Sequence, residues 1–124
     1  MKTISLWQPW ATLIVKGIKK VETRHWETNI RGQIAIHAAK RKPDIYFPEL
    51  EEADIPLGAI VGLAEIVDCL PMEKLYGSIY DTIAERSYGD WTLGRYGGIM
   101  SNPVLFDKPV NINGRQGFWD WEKI

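Results

Sequence analysis

The distribution of apolar and polar residues along the chain predicts a protein built mainly of short strands. Alternating or continuous apolar runs of strand length occur at 2–6, 20–24, 33–38, 59–70, 99–106 and 114–124. Apolar residues recur at helical spacing over only two segments, 9–17 and 73–84. Because the strands are not separated by regular helices, we expect a mainly β fold with flanking helices (α+β), in which a small mixed β-barrel carries helices on its flank.

The segments between the predicted strands differ in character. The longest apolar run, 59–70, contains Gly62, where a barrel strand could bend or bulge. The polar, proline-bearing stretch 40–57 is expected at the surface, with a helical turn near 46–53. The glycine- and aromatic-rich stretch 87–98 is expected to form a shaped loop that leads into the next strand.

Composition adds that the chain is one globular domain over residues 1–124. Apolar residues make up 45 % and charged residues 25 %, and no repeat or low-complexity tract interrupts them. Cys69 is the only cysteine, so neither an internal disulfide nor a cysteine-based zinc cluster can form. The N-terminal residues lack a signal-peptide core, and no apolar stretch approaches ~18 residues. We therefore expect a cytoplasmic protein with no membrane association.

The charge is unevenly distributed along the sequence, although the formal net charge is only −1. Residues 1–42 hold nine Lys or Arg and two acids, whereas residues 43–124 hold six Lys or Arg and fourteen acids. This asymmetry could create a local positive surface for an anionic partner. Folding could equally mix the two parts and remove the patch, and the sequence leaves both outcomes open.

The densest cluster of charged residues occupies 17–26, between the first predicted helix and the next strand. In a strand, Lys20, Glu22 and Arg24 point to one face and Lys19 to the other. Such a row faces solvent or lines a polar cleft, and spacing alone favours solvent. In a cleft, Glu22 would orient a lysine and Arg24, and Arg24 could hold a phosphate or a base edge through two parallel hydrogen bonds. A desolvated lysine there could act as general base or nucleophile.

Several stretches of the chain, in order, resemble one known family. They are SLWQPWA at 5–11, the core Gly-x-Lys-x-x-Glu-x-Arg at 17–24, IHAAK at 36–40, Gly89-Asp90, Gly94-Arg95-Tyr96 and GRQGFWDW at 114–121. Together they resemble the ASCH domain, named for its homology to the activating signal cointegrator. ASCH domains are similar in fold to PUA domains, which bind RNA. The resemblance implies a small PUA-like barrel, with RNA or a nucleotide-like small molecule held in a cleft between the barrel and the first helix.

The resemblance also implies a second activity. Some family members are small amidohydrolases that remove the acetyl group of N4-acetylcytidine, with a Lys, a Thr three residues later and a distal acid. Lys19 matches the Lys, but Glu22 occupies the Thr position and Thr23 lies one residue away. The distal acid is open among three candidates, Glu65, Glu85 and Asp90. A variant remains in which Glu22 activates water as a base and Lys19 polarises the carbonyl. Whether the chain is an enzyme is open.

The remaining candidate ligand-binding residues are aromatic, basic or amide side chains. Trp7 and Trp26 stand beside polar residues and are candidates for base stacking. Gln8 could read an adenine-like edge or simply cap the helix. Single polar or aromatic positions that complete the predicted site are His37, Lys40, Arg95 and Tyr96. The two His residues have no acid at ligand spacing, so we expect no metal site and no cofactor.

Overall fold

The computed structural model describes residues 1–122. Residues 1–122 form six strands, three short α-helices and one 3-10 turn, in the order β1 (Lys2–Leu6), α1 (Trp10–Val15), β2 (Val21–Arg24), β3 (Gly32–Ala38), the 3-10 turn (Glu52–Asp54), β4 (Ala59–Pro71), α2 (Met72–Leu75), α3 (Ile83–Ser87), β5 (Tyr96–Asn111) and β6 (Phe118–Asp120). Residues 123 and 124 of the predicted last strand lie outside the described part of the chain.

All six strands belong to one mixed sheet in the order β2-β5-β4-β3-β1-β6. β1 runs parallel to β3, and every other neighbouring pair is antiparallel. The sheet curls into a half-barrel, and its two ends approach each other. Arg24 Nη2 at one end donates to the backbone oxygen of Ser5 at 3.3 Å, and the rings of Trp26 and Phe118 lie 5.8 Å apart. The expected mainly β, PUA-like fold is confirmed.

The two faces of the sheet pack against different partners. Ile34 and Ile36 belong to the main apolar cluster, which also contains α1 residues such as Ile14. Ala35, between them, packs on the opposite face in a cluster with Trp119. This alternation follows from the two-residue period of a strand, and it places His37 on the same side as Ala35 and Trp119.

The sequence predicts the first four strands well. The observed bounds differ from 2–6, 20–24, 33–38 and 59–70 by no more than one residue at either end. The first helix is shorter than the predicted 9–17, since only residues 10–15 are helical. The fifth strand is longer than the predicted 99–106, because β5 pairs with β4 through three register shifts and continues to Asn111.

The predicted helix over 73–84 is wrong. The chain instead forms α2, a turn at Gly77 with a φ of 77°, and α3, which begins after Thr82 accepts the Glu85 N–H at 3.0 Å. The apolar spacing that suggested one helix included Ile79 and Ile83, whose exposed fractions are 86 % and 93 %. No other part of the described structure packs over these two side chains. A continuous helix through the turn would therefore gain no stability from burying an apolar face.

Two kinds of feature are absent from the described residues. None of the described helices is long and apolar enough to cross a membrane. Residues 1–122 contain no group of three or more His, Cys, Asp or Glu side chains arranged to hold a metal ion.

Candidate nucleic-acid interface

Strand ends from three parts of the sheet meet at one edge. Because β1 and β3 are parallel, their carboxyl ends lie side by side, with Ser5 opposite His37 in the register. The end of β2 reaches the same edge through Arg24, which bonds to Ser5 O. The loop 112–117 returns to this edge before β6 pairs with β1. Side chains distant in sequence are thereby brought to one place.

An open cleft of about 790 Å³ lies at this edge. We call it the basic cleft, because its lining contains Arg24, His25, His37, Lys40 and Arg115. The remaining lining residues are uncharged: Ser5, Trp7, Trp26, Ala39, Asn113, Gly114, Gln116 and Gly117. Among residues 1–122, no carboxylate lines the cleft. Cationic side chains with no acid between them create a surface that attracts anions.

The floor of the basic cleft is a directed chain of hydrogen bonds. Trp119 Nε1 donates to Ser5 Oγ at 2.9 Å, and Ser5 Oγ lies 3.1 Å from His37 Nδ1. His37 Nε2 lies 2.8 Å from the backbone oxygen of Ile112, which can only accept, so Nε2 carries the proton. In neutral His37, Nδ1 therefore accepts the Ser5 hydroxyl proton. Burial lowers the pKa of His37, opposed by its hydrogen bond to Ile112, and this favours the neutral ring.

Two indole rings border the basic cleft. Trp7 follows β1 and is 54 % exposed, and the Arg41 guanidinium stacks 3.7 Å from its ring centroid. Arg41, which also pairs with Asp44, is not part of the cleft lining, so it supports Trp7 from outside the cleft. The rings of Trp26 and Phe118 pack with their planes at 67°. Both rings are held by neighbours and still border open space, as a stacking surface for a base requires.

Lys19 is placed differently from the cleft residues. Its side chain is only 1 % exposed, and its Nζ donates to the backbone oxygens of Val21 at 2.6 Å and Tyr88 at 2.8 Å. Burial lowers the pKa of Lys19, while the carboxylates of Glu22 and Glu85 oppose that shift. Lys19 therefore ties the start of β2 to the loop after α3.

Glu22 stands between Lys19 and Arg24. Glu22 Oε1 lies 3.7 Å from Lys19 Nζ, and Glu22 Oε2 lies 3.2 Å from Arg24 Nε. The Glu22 side chain is 13 % exposed and lines a small inner pocket, and Arg24 lines both that pocket and the basic cleft. The three charged residues of the motif are thus adjacent, and Arg24 is the one that reaches the basic cleft.

Glu85 is buried and accepts hydrogen bonds from the backbone at the start of β2. Its two carboxylate oxygens lie 2.6 Å from the Lys20 N and 3.3 Å from the Val21 N. Of the three distal acids considered from the sequence, Glu85 lies beside Lys19. Glu65 instead accepts a hydrogen bond from Asn102 at 3.0 Å, and Asp90 pairs with Arg95 at 3.7 Å.

The structure brings five of the ten predicted site residues into the lining of the basic cleft. These are Trp7, Arg24, Trp26, His37 and Lys40. Of the other five, Gln8 is buried. Its Oε1 accepts the Thr12 N–H at 3.0 Å, so it caps the first turn of α1, and its Nε2 donates to Thr12 Oγ1 and Pro56 O. Arg95 bonds to the backbone oxygens of Asp90 and Thr23, and Tyr96 lines the inner pocket beside Glu22. The basic cleft lies beside the start of α1, and none of residues 10–15 lines it.

Sequence reasoning did not select the residues that complete the basic cleft. Ser5, His25 and the loop 113–117, with Arg115 and Gln116, were not among the predicted site residues. A signal for the loop existed in the pair Gly114 and Gly117. A Cβ on Gly114 would lie 2.3 Å from His37 Cε1, and Gly117 has a φ of 66°, so both positions favour glycine.

The amino-acid sequence of the chain is similar to that of known proteins. Residues 4–92 match the family model of the ASCH domain. Activating signal cointegrator 1 of Homo sapiens is 30 % identical to the chain over 134 positions, and that of Mus musculus is 29 % identical. Each match covers 94 % of this chain and 21 % of the relative, so the chain spans about a fifth of the length of these curated relatives.

Solved structures support the same fold. The crystal structure of ASCH from Zymomonas mobilis matches with a TM-score of 0.67 and 19 % identity, covering 98 % of this chain and 87 % of that chain. A point variant of that protein matches with a TM-score of 0.58 and 20 % identity, covering 89 % and 74 %. At these identities the likeness shows the fold alone.

Proposed function

Because the chain belongs to the ASCH domain family, we propose that its basic cleft binds single-stranded RNA or a nucleotide-like ligand. One observation carries the proposal: the cationic side chains of Arg24, Lys40 and Arg115 line a cleft in which no carboxylate of the described residues takes part. The phosphate backbone supplies most of the affinity of nucleic acid for such a surface. The similarity of ASCH domains to RNA-binding PUA domains points in the same direction.

The aromatic residues make a nucleotide a better fit than a simple anion. Trp7 and Trp26 border the cleft, and stacking on an aromatic side chain contributes ~1–3 kcal/mol per base. Single strands offer unpaired bases for such stacking, whereas a duplex hides them. The neutral lining residues Asn113 and Gln116 add amide groups that can donate to and accept from base edges.

The direct test is the binding of a fluorescently labelled oligouridine, followed by anisotropy over a range of salt concentrations. We expect binding that weakens as salt rises, and weaker binding with a salt slope lower by about 1 for Lys40→Ala and for Arg115→Ala. Lys74→Ala and Lys108→Ala are the matched controls, because both lysines are exposed and lie outside the cleft lining. No binding at low salt, or equal effects of all four changes, would refute the proposal.

A second candidate function is hydrolysis of an acylated nucleoside such as N4-acetylcytidine. The observation that favours it is the contact of Lys19 with Glu22, together with the lowered pKa of Lys19, which makes a neutral amine more accessible. Substrate would reach Lys19 only if the loop at Tyr88 moved, since the lysine is 1 % exposed. Incubation with N4-acetylcytidine, followed by absorbance, tests it. Turnover no greater than that of Lys19→Ala would exclude this substrate.

A further inference from the structure

Arg24 has five N–H donors, and its neighbours occupy only one edge of the guanidinium. Glu22 Oε2 lies 3.2 Å from Nε, and Ser5 O accepts from Nη2 at 3.3 Å, so the edge formed by Nε and Nη2 faces the protein. Among residues 1–122, no acceptor takes an N–H of Nη1. Nε is buried and has no hydrogen-bond partner. Nη1 has no partner either, but it is not buried, so it reaches solvent.

The orientation of Arg24 depends on an ion pair more than on directed hydrogen bonds. The Nε–H of Arg24 is not aimed at Glu22 Oε2, although the two atoms are at ion-pair distance. The bond to Ser5 O, at 3.3 Å, is long for an N–H donor. Arg24 therefore lacks a well-aligned hydrogen-bond anchor. The centroid of the Trp26 ring lies 5.9 Å from Arg24 Cζ, but a contact with the plane of the guanidinium does not select one of its edges. The negative charge of Glu22 is thus the main force that turns the inner edge toward the protein.

Glu22 itself is fixed by a buried cation. Lys19 Nζ lies 3.7 Å from Glu22 Oε1, and two backbone oxygens hold the ammonium in place. Because the lysine is buried, its charge is poorly screened by solvent and favours an ionised partner. The order of charges, plus, minus, plus, runs from the protein interior at Lys19 to the cleft at Arg24.

We propose that Glu22 is a positioning residue, held by Lys19, that presents the Nη1–Nη2 edge of Arg24 to a ligand carrying two adjacent acceptor atoms. The inference rests on the proposed function and gives it a specific contact. A phosphate group and the O6/N7 edge of guanine both offer two acceptors to an arginine. Lys19 and Glu22 then act on the ligand through Arg24, and neither touches it.

The change Glu22→Gln separates positioning from simple electrostatics, because the two predict opposite signs. Removing a carboxylate near a cationic cleft strengthens the binding of a polyanion if only long-range charge matters. If Glu22 orients Arg24, the same change weakens binding, by about fivefold, because a charge-assisted contact of Arg24 is lost. Glu27→Gln is the control for charge alone, since Glu27 is exposed and the acid paired with Arg24 is Glu22.

The decisive experiment is a double-mutant cycle with Glu22→Gln and Arg24→Ala, measured on the affinity for an oligouridine that contains one guanosine and so offers both kinds of paired acceptor. We expect Glu22→Gln to weaken binding in the unmodified protein and to have no effect in the Arg24→Ala background. Tighter binding with Glu22→Gln, or an equal loss in both backgrounds, would overturn the inference. Glu22→Asp, which keeps the charge of Lys19 compensated but withdraws the carboxylate by one methylene, should give an intermediate loss and covers poor folding of Glu22→Gln.

A ligand-free measurement separates failure of the inference from failure of the proposed function. The heteronuclear NOE of the Arg24 Nε–H signal, assigned by its loss in Arg24→Lys, should fall in Glu22→Gln as the side chain becomes mobile. An unchanged NOE would overturn the positioning role, whether or not RNA binds. If the unmodified protein binds no oligouridine, the proposed function fails and the NOE alone decides on Glu22.

A second RNA oligonucleotide shows whether the two acceptors belong to a phosphate or to a guanine. Arg24→Ala should be tested on oligouridine and on the same oligonucleotide with one guanosine. An equal loss on both assigns the Nη1–Nη2 edge to a phosphate, and a loss confined to the guanosine-containing strand assigns it to the guanine edge. No loss on either strand would contradict any contact of Arg24 with the ligand.

Discussion

Ser5 Oγ and His37 Nδ1 lie 3.1 Å apart at the floor of the basic cleft, although 32 residues separate them in the sequence. The parallel pairing of β1 with β3 places these two residues opposite each other. Each is satisfied on its other side, Ser5 by Trp119 and His37 by the backbone of Ile112. The pair therefore joins the neighbouring strands β1 and β3 to β6 and to Ile112, which flank the cleft-lining loop 113–117 on its two sides.

Stability should decrease as the pH falls from 7 to 5, because of His37. Burial lowers the pKa of His37 from its usual 6.5, so the unfolded chain binds a proton at a higher pH than the folded one. Wherever the unfolded state binds more protons, the free energy of unfolding rises with pH. The loss should begin below about pH 6.5 and end below the folded pKa. Urea unfolding at several pH values measures it.

The variant His37→Gln should lose this part of the pH dependence, while His25→Gln should retain it, since His25 is exposed. The loss of stability that Asp81 causes occurs at a lower pH than that of His37, because the bond to Arg86 lowers the pKa of Asp81 to about 2. The contribution of Asp81 is lost only as the pH falls from about 4 toward 2. Identical pH dependence of His37→Gln and the unmodified protein would contradict the role assigned to His37.

The change Gly114→Ala should distort the cleft floor. Its Cβ would lie 2.3 Å from His37 Cε1 and 2.7 Å from Ser5 Oγ, so the loop or the Ser5–His37 pair must move. We expect a loss of about 1–3 kcal/mol in the free energy of unfolding, the usual result of overpacking, and weaker RNA binding. Thermal or urea unfolding together with anisotropy measures both effects.

Gly98→Ala is the control for the loss of a glycine, because its added Cβ would meet its nearest atom at an ordinary 3.8 Å. That variant should stay within about 0.5 kcal/mol of the unmodified protein. If Gly114→Ala bound RNA normally and were equally stable, the loop would not be pressed against His37 in solution.

Lys19→Met should destabilise the fold strongly. The change leaves the backbone oxygens of Val21 and Tyr88 without their donor and leaves Glu22 without its buried cation. Removal of one partner from a buried ion pair costs about 3–5 kcal/mol. Urea unfolding of the variant, compared with the unmodified protein, gives the difference directly.

Lys20→Met provides the comparison at the next residue, since Lys20 is exposed, and its effect should be within about 0.5 kcal/mol. Equal stability of Lys19→Met and Lys20→Met would mean that Lys19 is not the buried tie that its contacts indicate. That outcome would also favour an accessible lysine, as the hydrolase alternative requires.

The fold was predictable where local pattern and burial agree. Alternation of polar and apolar residues located β1 and β2, in which alternate positions such as Ile4 and Leu6 or Val21 and Thr23 are buried. The apolar residues of β3 located that strand, which is buried on both faces over 34–38. The helix predicted over 73–84 failed because Ile79 and Ile83 mimic an apolar helix face while facing solvent. Helical spacing records which residues could share a face, and it cannot record whether anything covers that face.

The site was predictable only in part, for a different reason. The family resemblance grouped Lys19, Glu22 and Arg24 in one motif, whereas strand spacing placed Lys19 on the face opposite the other two. The structure has Glu22 in contact with both Lys19 and Arg24. The burial of Lys19 depends on the backbone of Tyr88, which is 69 residues away, and no local pattern contains that information. Arg115 joins the basic cleft through the pairing of β6 with β1. The flanking Gly114 and Gly117 indicate a constrained loop, but no local pattern indicates which strands that loop contacts.

The six tryptophan side chains allow the most direct measurement of where RNA binds. In a ¹⁵N correlation spectrum each indole N–H gives its own signal, which single Trp→Phe changes assign. On titration with oligouridine, the signals of Trp7 and Trp26, which border the basic cleft, should shift most, while those of the buried Trp91 and Trp121 should stay in place. If RNA binds and the Trp7 and Trp26 signals do not move, the ligand lies elsewhere and the basic cleft is not its site.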